Sequence, residues 1–370
     1  MRGISSLAKE TTNLEVGRDA TGATHINQYV VVKTLGRGSF GKVKLCLNTI
    51  DGNLYAVKSS FNNVVASSDI INRVASESMS STANSRASVD EANPLDSIMR
   101  EIAVLKKLDH PNVVKLLEVI DPPSASYMML VMEYMERGPV LETKGQSGFS
   151  RFPERIALDY IRQTCAGLDY LHYNNVAHGD LKPENLLVSA AGQLKIGDFG
   201  SARMMSDSTA SSKVSCTPAF QPPEALIGGA DEDAMAADVW SLGVCLFCFV
   251  YGRLPFIGTC LLDVSNAIRN DSLRFPADVP TSPSLSHLFS RMLDKSPSTR
   301  ITLPEVMQHP WITDQGRLPL PSLRSLLSPP KVIEVSRNEA QSAIDRSSLV
   351  NMLRARLKEK TFAAGEYLFK

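Results

Sequence analysis

The texture of this chain changes once, near Gly138, and that change restricts the fold more than any single motif does. Before it, from Tyr29 onward, short pieces alternate apolar and polar residues as half-buried strands do. They read "YVVVKTL", "KVKLCLNTI" and "LYAVKSS", then "VVKLLEVI" and "YMMLVMEYM". Asp51-Gly52-Asn53 joins two of them with residues that accept positive φ at low cost, so a hairpin is predicted there. One stretch in this half, "LDSIMREIAVLKKL", has helical spacing and is closed by "HPN". After Gly138 the spacing is helical almost throughout: "PERIALDYIRQTCAGLDYLHYNN", "DVWSLGVCLFCFVYG" and "PSLSHLFSRMLD". The pattern predicts an α+β chain in two lobes. A small antiparallel sheet with one helix comes first and a larger, mainly α-helical lobe second, with the cleft between them as the natural ligand site.

Composition removes some alternatives. A formal net charge of +0 gives no global attraction to nucleic acid or to an anionic membrane. The polar start after Met1 predicts no secretory leader, and Gly3 is one position late for a myristoyl acceptor. The apolar run "SLGVCLFCFVYG" reads as a buried helix, too short to span a bilayer, so no stable membrane anchor is predicted. Cys245 and Cys248 form a C-x-x-C, but no second pair at zinc spacing follows and their neighbours are apolar. Packing in a reducing, cytoplasmic compartment, with the nucleus as a second location, is the reading that fits.

Residues 1–28 are polar and unpatterned and read as a flexible tail. Residues 59–93 turn Ser- and Asn-rich and read as a disordered insert in a domain running from 29 to 313. Residues 314–370 read as a linker followed by a regulatory tail.

Gly36, Gly38 and Gly41 spell G-x-G-x-x-G in "LGRGSFGKV". A dinucleotide fold uses the same spelling but follows the third glycine with a helix. Here a strand pattern follows, so the loop, Gly36-Arg37-Gly38-Ser39-Phe40-Gly41, is predicted to be a hairpin laying backbone N–H groups over phosphate oxygens. Lys58 in "YAVKSS" would reach those phosphates, with Glu101 on the polar side of the next helix as its acidic partner.

Two later stretches complete the set. In "HGDLKPENLL", Asp180 would accept the proton of an incoming hydroxyl and Lys182 would neutralise charge on a transferred phosphoryl group. Asn185, and Asp198 of "GQLKIGDFGSA", are hard oxygen ligands suited to Mg2+.

Together these residues resemble the protein kinases over roughly Tyr29 to Trp311. The joint presence of "GRGSFGKV", "AVK", "H-x-D-x-K-x-x-N", "DFG" and the Pro222-Pro223-Glu224 run carries the resemblance. It implies the bilobal kinase fold, ATP and Mg2+ as cofactors, and an adenine hinge from Glu133 to Met135 behind Met132. It also implies that Leu35, Val43, Ala56 and Leu187 clasp the base, that Glu224 pairs with Arg300, and that the helix of "DVWSLG" anchors the catalytic loop. Lys182-Pro183-Glu184 resembles serine/threonine rather than tyrosine kinases. Longer stretches, among them "REIAVLKKLDHPNVVKLLEVID", "CTPAFQPPEAL" and "MLDKSPSTRITLPEVMQHPWIT", are similar to calcium/calmodulin-dependent protein kinase kinases and to plant and fungal kinases that activate SNF1-type kinases. The protein substrate so implied is another kinase, phosphorylated on its activation-loop threonine.

The chain departs from the family pattern in places. Gly179 stands where arginine is usual between His and Asp, so a phosphorylated activation loop gains no cation there. Cys216 replaces a glycine before Thr217-Pro218 and raises the expectation of an oxidisable thiol beside the substrate platform. The insert is Ser/Asn-rich rather than Arg/Pro-rich. In the tail, Arg346, Arg354, Arg356, Lys358 and Lys360 accompany Leu349, Val350, Met352, Leu353, Leu357 and Phe362. A basic amphipathic helix over 344–365 would suit a calmodulin groove or a membrane surface, or would pack on its own domain or stay solvated. Two other functions stay open at this point: a calcium/calmodulin-type kinase with non-kinase targets, and a nucleotide-binding pseudokinase scaffold.

Overall fold

The structure is a computed structural model that describes residues 8–20, 22–38, 41–60, 105–121, 128–141, 148–204, 217–227 and 233–326. These residues group into two units. One holds the residues up to Asp109 with Lys115–Tyr134, the other His110–Val114 with the residues from Met135 onward.

The first unit is one eight-stranded sheet. Its strands are β1 (Lys9–Thr11), β2 (Val16–Arg18), β3 (Thr24–Ile26), β4 (Tyr29–Gly38), β5 (Gly41–Asn48), β6 (Leu54–Ser60), β7 (Leu116–Ile120) and β8 (Met128–Glu133). Their order is β1-β7-β8-β6-β5-β4-β3-β2, antiparallel throughout except for the parallel pair β1 and β7. Alternation places Tyr29, Cys46, Val57, Ile120, Met129 and Val131 in one buried cluster with Ile26. The Asp51-Gly52-Asn53 turn forms as its chemistry predicts: Gly52 takes φ +71 and donates its N–H to the Asn48 carbonyl at 2.9 Å.

The first correction concerns the N-terminus. Residues 9–26 of the predicted tail form β1 to β3, and a buried carboxylate holds the first of them. Glu118 on β7 accepts hydrogen bonds from the hydroxyls of Thr11 and, at 2.6 Å, Tyr29, and from Gln28 Nε2 at 3.2 Å, while Lys9 Nζ lies 3.4 Å away. Three-residue strands have no periodicity to read; Glu118 ties β1 to the start of β4, while β2 and β3 are held by their pairing with each other and with β4. The insert begins later than predicted, since Ser59 and Ser60 belong to β6; the rest of it lies outside the described residues. So does nearly all of the predicted helix around Glu101.

The second unit opens with β9 (Gly138–Pro139) and α1 (Glu154–Tyr173). Small strands follow: β10 (Val176–Ala177), β11 (Leu186–Val188), β12 (Leu194–Ile196) and β13 (Arg203–Met204). The helices α2 (Pro223–Ile227), α3 (Ala234–Tyr251), α4 (Leu261–Asn270), α5 (Pro283–Met292), α6 (Leu303–Gln308) and α7 (Leu323–Leu326) complete it. At 18 residues α3 is long and apolar enough to cross a membrane, longer than its sequence reading, yet it is the core of this unit. Trp240, Phe247 and Phe249 are essentially inaccessible, and Phe247 meets Phe289 of α5 edge-on at 5.4 Å between ring centres. Asp233 caps α3 by accepting from the Met235 and Ala236 amides, and Gly252 ends it at φ +67. Cys245 and Cys248 are buried free thiols, and burial pushes both well above the usual thiol range, which fits a packing role.

The predicted linker from 314 is corrected as far as 326. Arg162 of α1 donates to the carbonyls of Ile312, Leu318 and Pro319, and Asp169 accepts from the buried Ser322 hydroxyl at 2.8 Å and the Leu323 amide at 2.7 Å. The basic tail over 344–365 lies outside the described residues.

Candidate active site

The predicted site residues fall on both units, and each half is built by its own elements. In the first unit the three glycines lie in a strand-to-strand hairpin, as predicted. Gly36 pairs with Val43, Arg37 with Lys42 and Gly38 with Gly41, with an irregularity in register between Thr34 and Gly36. Ser39 and Phe40 at its tip lie outside the described residues. A strand after the third glycine excludes the dinucleotide alternative, which requires a helix there.

Register decides which side chains share a face. Directly opposed residues on neighbouring strands point to the same side, as do residues two apart on one strand. Val43 opposes Lys58, Lys58 opposes Leu130, and Ala56 opposes Met132. One face of the sheet therefore carries Val43, Ala56, Lys58, Leu130 and Met132, four apolar side chains beside the Lys58 ammonium. Lys58 is 8% exposed; Glu101, its predicted partner, lies outside the described residues. Leu35 on β4 stays partly exposed. At the end of β8, Glu133 does work that the sequence did not disclose. Its Oε1 accepts from the Lys115 N–H at 2.7 Å while its own N–H donates to the Lys115 carbonyl at 3.2 Å, closing the two strands together.

The second unit assembles the remaining groups. Met135, buried, starts a turn in which its carbonyl accepts from the Gly138 N–H at 3.0 Å. The strands β11 and β12 pair Leu186 with Ile196, and the Gly197 N–H donates to the Asn185 carbonyl at 2.8 Å. Asn185 and Asp198 thus come to the same end of one small antiparallel pair, with Leu187 on β11 beside them. Asp198 holds φ +57, a left-handed conformation that aspartate tolerates better than most residues and that recurs where side chains must be aimed.

Asp180 is the hub. Its carboxylate lies 2.6 Å from Lys182 Nζ, and the Asn185 side-chain amide donates to its backbone carbonyl at 2.8 Å. Lys182 also donates to the Thr217 hydroxyl at 2.9 Å. One ammonium therefore joins the carboxylate to the segment 217–220. With its NH2 group spent on Asp180, Asn185 has its carbonyl oxygen left as the hard donor, and Asp198 supplies a second. This pair fits a magnesium ion by ligand chemistry. Among the described residues no group of three or more His, Cys, Asp or Glu side chains gathers as a softer metal site would.

The glycine between His178 and Asp180 has a physical reason here. Gly179 holds φ +77, and a Cβ added to it would lie 2.5 Å from the Ser201 carbonyl oxygen, so the loop that carries Asp180 runs against the segment after Asp198. Beneath it sits a residue that could be read from the sequence only as part of a buried anchor. Asp238 on α3 accepts from His172 Nε2 at 2.8 Å, the His178 N–H at 2.8 Å and the Gly179 N–H at 2.9 Å. Burial works against its charge, but these donors, His172 foremost, outweigh that and hold the carboxyl below the usual carboxylate range. His178 in turn presents Nε2 to the Gly197 carbonyl at 3.0 Å, and its Nδ1 accepts from the Asp180 N–H at 3.3 Å, one partner for each nitrogen. The predicted pair of Glu224 and Arg300 forms as a two-pronged bridge, at 2.7 and 3.0 Å. Cys216 lies outside the described residues.

Residues 29–312 match the family model described as protein kinase domain. The chain belongs to the protein kinase family. Two of the relatives it is similar to are named as serine/threonine-protein kinases. It is 39% identical over 303 residues to a calcium/calmodulin-dependent protein kinase kinase of Caenorhabditis elegans, covering 80% of this chain and 54% of that protein. It is 38% identical over 314 residues to the serine/threonine-protein kinase GRIK2 of Arabidopsis thaliana, covering 84% and 72%. It is 38% identical over 362 residues to the serine/threonine-protein kinase ssp1 of Schizosaccharomyces pombe, covering 94% and 52%. The kinase spans about half the length of the nematode and fission-yeast relatives.

Proposed function

We propose that this chain is an active ATP-dependent kinase, in the cytoplasm, that phosphorylates the activation-loop threonine of another kinase of the SNF1 type. The observation that carries the catalytic part is the Asp180–Lys182–Thr217 chain of contacts, 2.6 and 2.9 Å long. Asp180 is positioned to orient an incoming hydroxyl and accept its proton, and Lys182 holds positive charge where the transferred phosphoryl group develops negative charge. Asn185 and Asp198 would hold Mg2+, which supplies charge neutralisation on the phosphates when bound. In the other unit the glycine hairpin would offer its backbone N–H groups to phosphate and Lys58 its ammonium, with Glu101 as the partner that steadies it. Leu35, Val43, Ala56 and Leu187 would contact adenine, and Glu133 to Met135 its polar edge. The choice of a kinase as substrate rests on the similarity to the kinase kinase and to GRIK2. Regulation by calmodulin through 344–365 follows from the basic amphipathic pattern and the name of the nematode relative.

The test incubates wild type and Asp180→Asn with a catalytically dead SNF1-type kinase and follows phosphate on its activation-loop threonine. Wild type should label it, and Asp180→Asn should be slower by about 10²- to 10⁴-fold. Equal labelling by both proteins refutes the mechanism. Labelling of a generic substrate but not of that threonine refutes the kinase-kinase assignment alone.

A further inference from the structure

One ion pair of the first unit is explained neither by the sheet nor by the catalytic residues. Lys106 Nζ donates to Glu10 Oε1 at 2.8 Å, with the lysine side chain only 12% exposed and the glutamate 49%. Glu10 is the middle residue of β1, an edge strand of 3 residues that pairs with β7. Its neighbours Lys9 and Thr11 both turn toward Glu118, so alternation sends Glu10 to the other face of the sheet. Register identifies that face. Glu10 opposes Val119 on β7, Val119 opposes Leu130 on β8, and Leu130 opposes Lys58 on β6. Glu10 therefore stands on the same side as Lys58, three strands along, about 14–15 Å away at the usual strand spacing.

The place of Lys106 in the chain gives this position a meaning. It lies five residues after Glu101, the acid proposed above as the partner of Lys58. Leu105 is helical, and the Leu108 N–H closes on its carbonyl at 3.3 Å. At the rise of the helix that the spacing predicts, five residues measure about 7.5 Å. With the reach of two long side chains added, one segment can meet Glu10 at its end and Lys58 along its length. The tie is also a removable one. A three-residue edge strand has few backbone bonds to lose and opens before the rest of its sheet. It also lies outside the stretch 29–312 that matches the family domain, so it is an addition to that domain.

We propose that β1 is a clasp for the catalytic ion pair. Glu10 is a positioning residue that acts through Lys106: it fixes where the segment bearing Glu101 stands over Lys58, and turnover depends on β1 being docked. This inference rests on the pairing of Lys58 with Glu101 proposed above.

The experiment compares the full chain with Glu10→Lys, with Lys106→Glu and with both together, on a synthetic serine/threonine peptide. Each single reversal turns an attraction into a repulsion and should lower kcat by about fivefold or more, with KM for the peptide changed less than about twofold. The swapped pair should recover kcat to within about twofold of wild type, and melting curves check that each variant is folded. Glu10→Lys added to Glu101→Gln should cost less than about twofold further, because the group it positions has lost its charge. Unchanged kcat in the single reversals overturns the clasp. So does a loss that the swap fails to recover, or one that repeats in full on Glu101→Gln, which would mean that Glu10 acts by another route. A Glu101→Gln protein as fast as wild type removes the Lys58–Glu101 pairing itself, and the clasp with it.

Discussion

Glu224→Ala should destabilise the second unit by an amount that its contacts allow one to estimate. The Arg300 side chain is fully buried and donates to both Glu224 oxygens, to the Ala236 carbonyl at 2.9 Å and to the Asp294 carbonyl at 3.0 Å; the Glu224 side chain is 17% exposed. Removing Glu224 leaves a guanidinium in the interior with two acceptors and no counter-charge. Breaking a buried ion pair from one side costs about 3–5 kcal/mol, and water entering from the Glu224 side sets the expected loss near the lower end, about 3 kcal/mol. At about 2–4 °C per kcal/mol for a domain of this size, Tm should fall by about 6–12 °C. Intrinsic fluorescence is a direct assay, because the guanidinium stacks 5.2 Å from the Trp240 ring centre and the chain has only 2 tryptophans. Arg300→Met with Glu224→Leu separates pairing from packing. It removes both charges and strands two carbonyls at about 1 kcal/mol each, so it should cost about 2 kcal/mol, well below the sum of the two single changes. A shift under about 2 °C for Glu224→Ala, or a double variant costing the full sum, would refute the reasoning.

Asp238→Asn should slow phosphoryl transfer and lower stability together, since an amide cannot accept from all three donors; the pH dependence identifies the carboxylate. Its folded pKa is depressed, so its stabilisation is present above about pH 4, the unfolded value, and is lost as pH falls below that through the folded value; acid unfolding of the variant should lack this component. His309 gives a second window. Its Nδ1 accepts from the Trp311 N–H at 3.2 Å and its Nε2 meets His287 Nδ1 at 3.0 Å, so a proton added to either ring opposes a hydrogen bond. Burial first, then His287, hold the His309 pKa below its ordinary value, so stability should drop by about 1 kcal/mol as pH falls from about 6.5 toward 5. His309→Leu should flatten that drop in thermal melts, and an unchanged slope would refute it. Glu118→Ala should release β1. Hydrogen exchange at the Asp121 amide, which donates to the Thr11 carbonyl at 2.8 Å, should accelerate by at least about tenfold, and unchanged protection would count against the clamp.

The sequence by itself determined the elements whose signal is local. The strands β4 to β6, the turn at Gly52, and α1, α3 and α5 follow from periodicity and turn chemistry, because each repeats a pattern within about ten residues. It also singled out candidate site residues: Asp180, Lys182, Asn185 and Asp198 stand at the close spacing that hydroxyl activation and magnesium binding would call for. Tertiary structure decided what depends on contacts between distant positions. Strands β1 to β3 are too short to be read; β1 is held by Glu118, roughly a hundred residues away, and β2 and β3 by pairing onto β4. The segment to Leu326 is held by Arg162 and Asp169. Asp238 reads in sequence as one polar residue at the start of an apolar helix. Only burial beneath His178 and Gly179 makes its carboxylate the support of the loop that carries Asp180, because an ion inside a protein must be met by donors that no local pattern records.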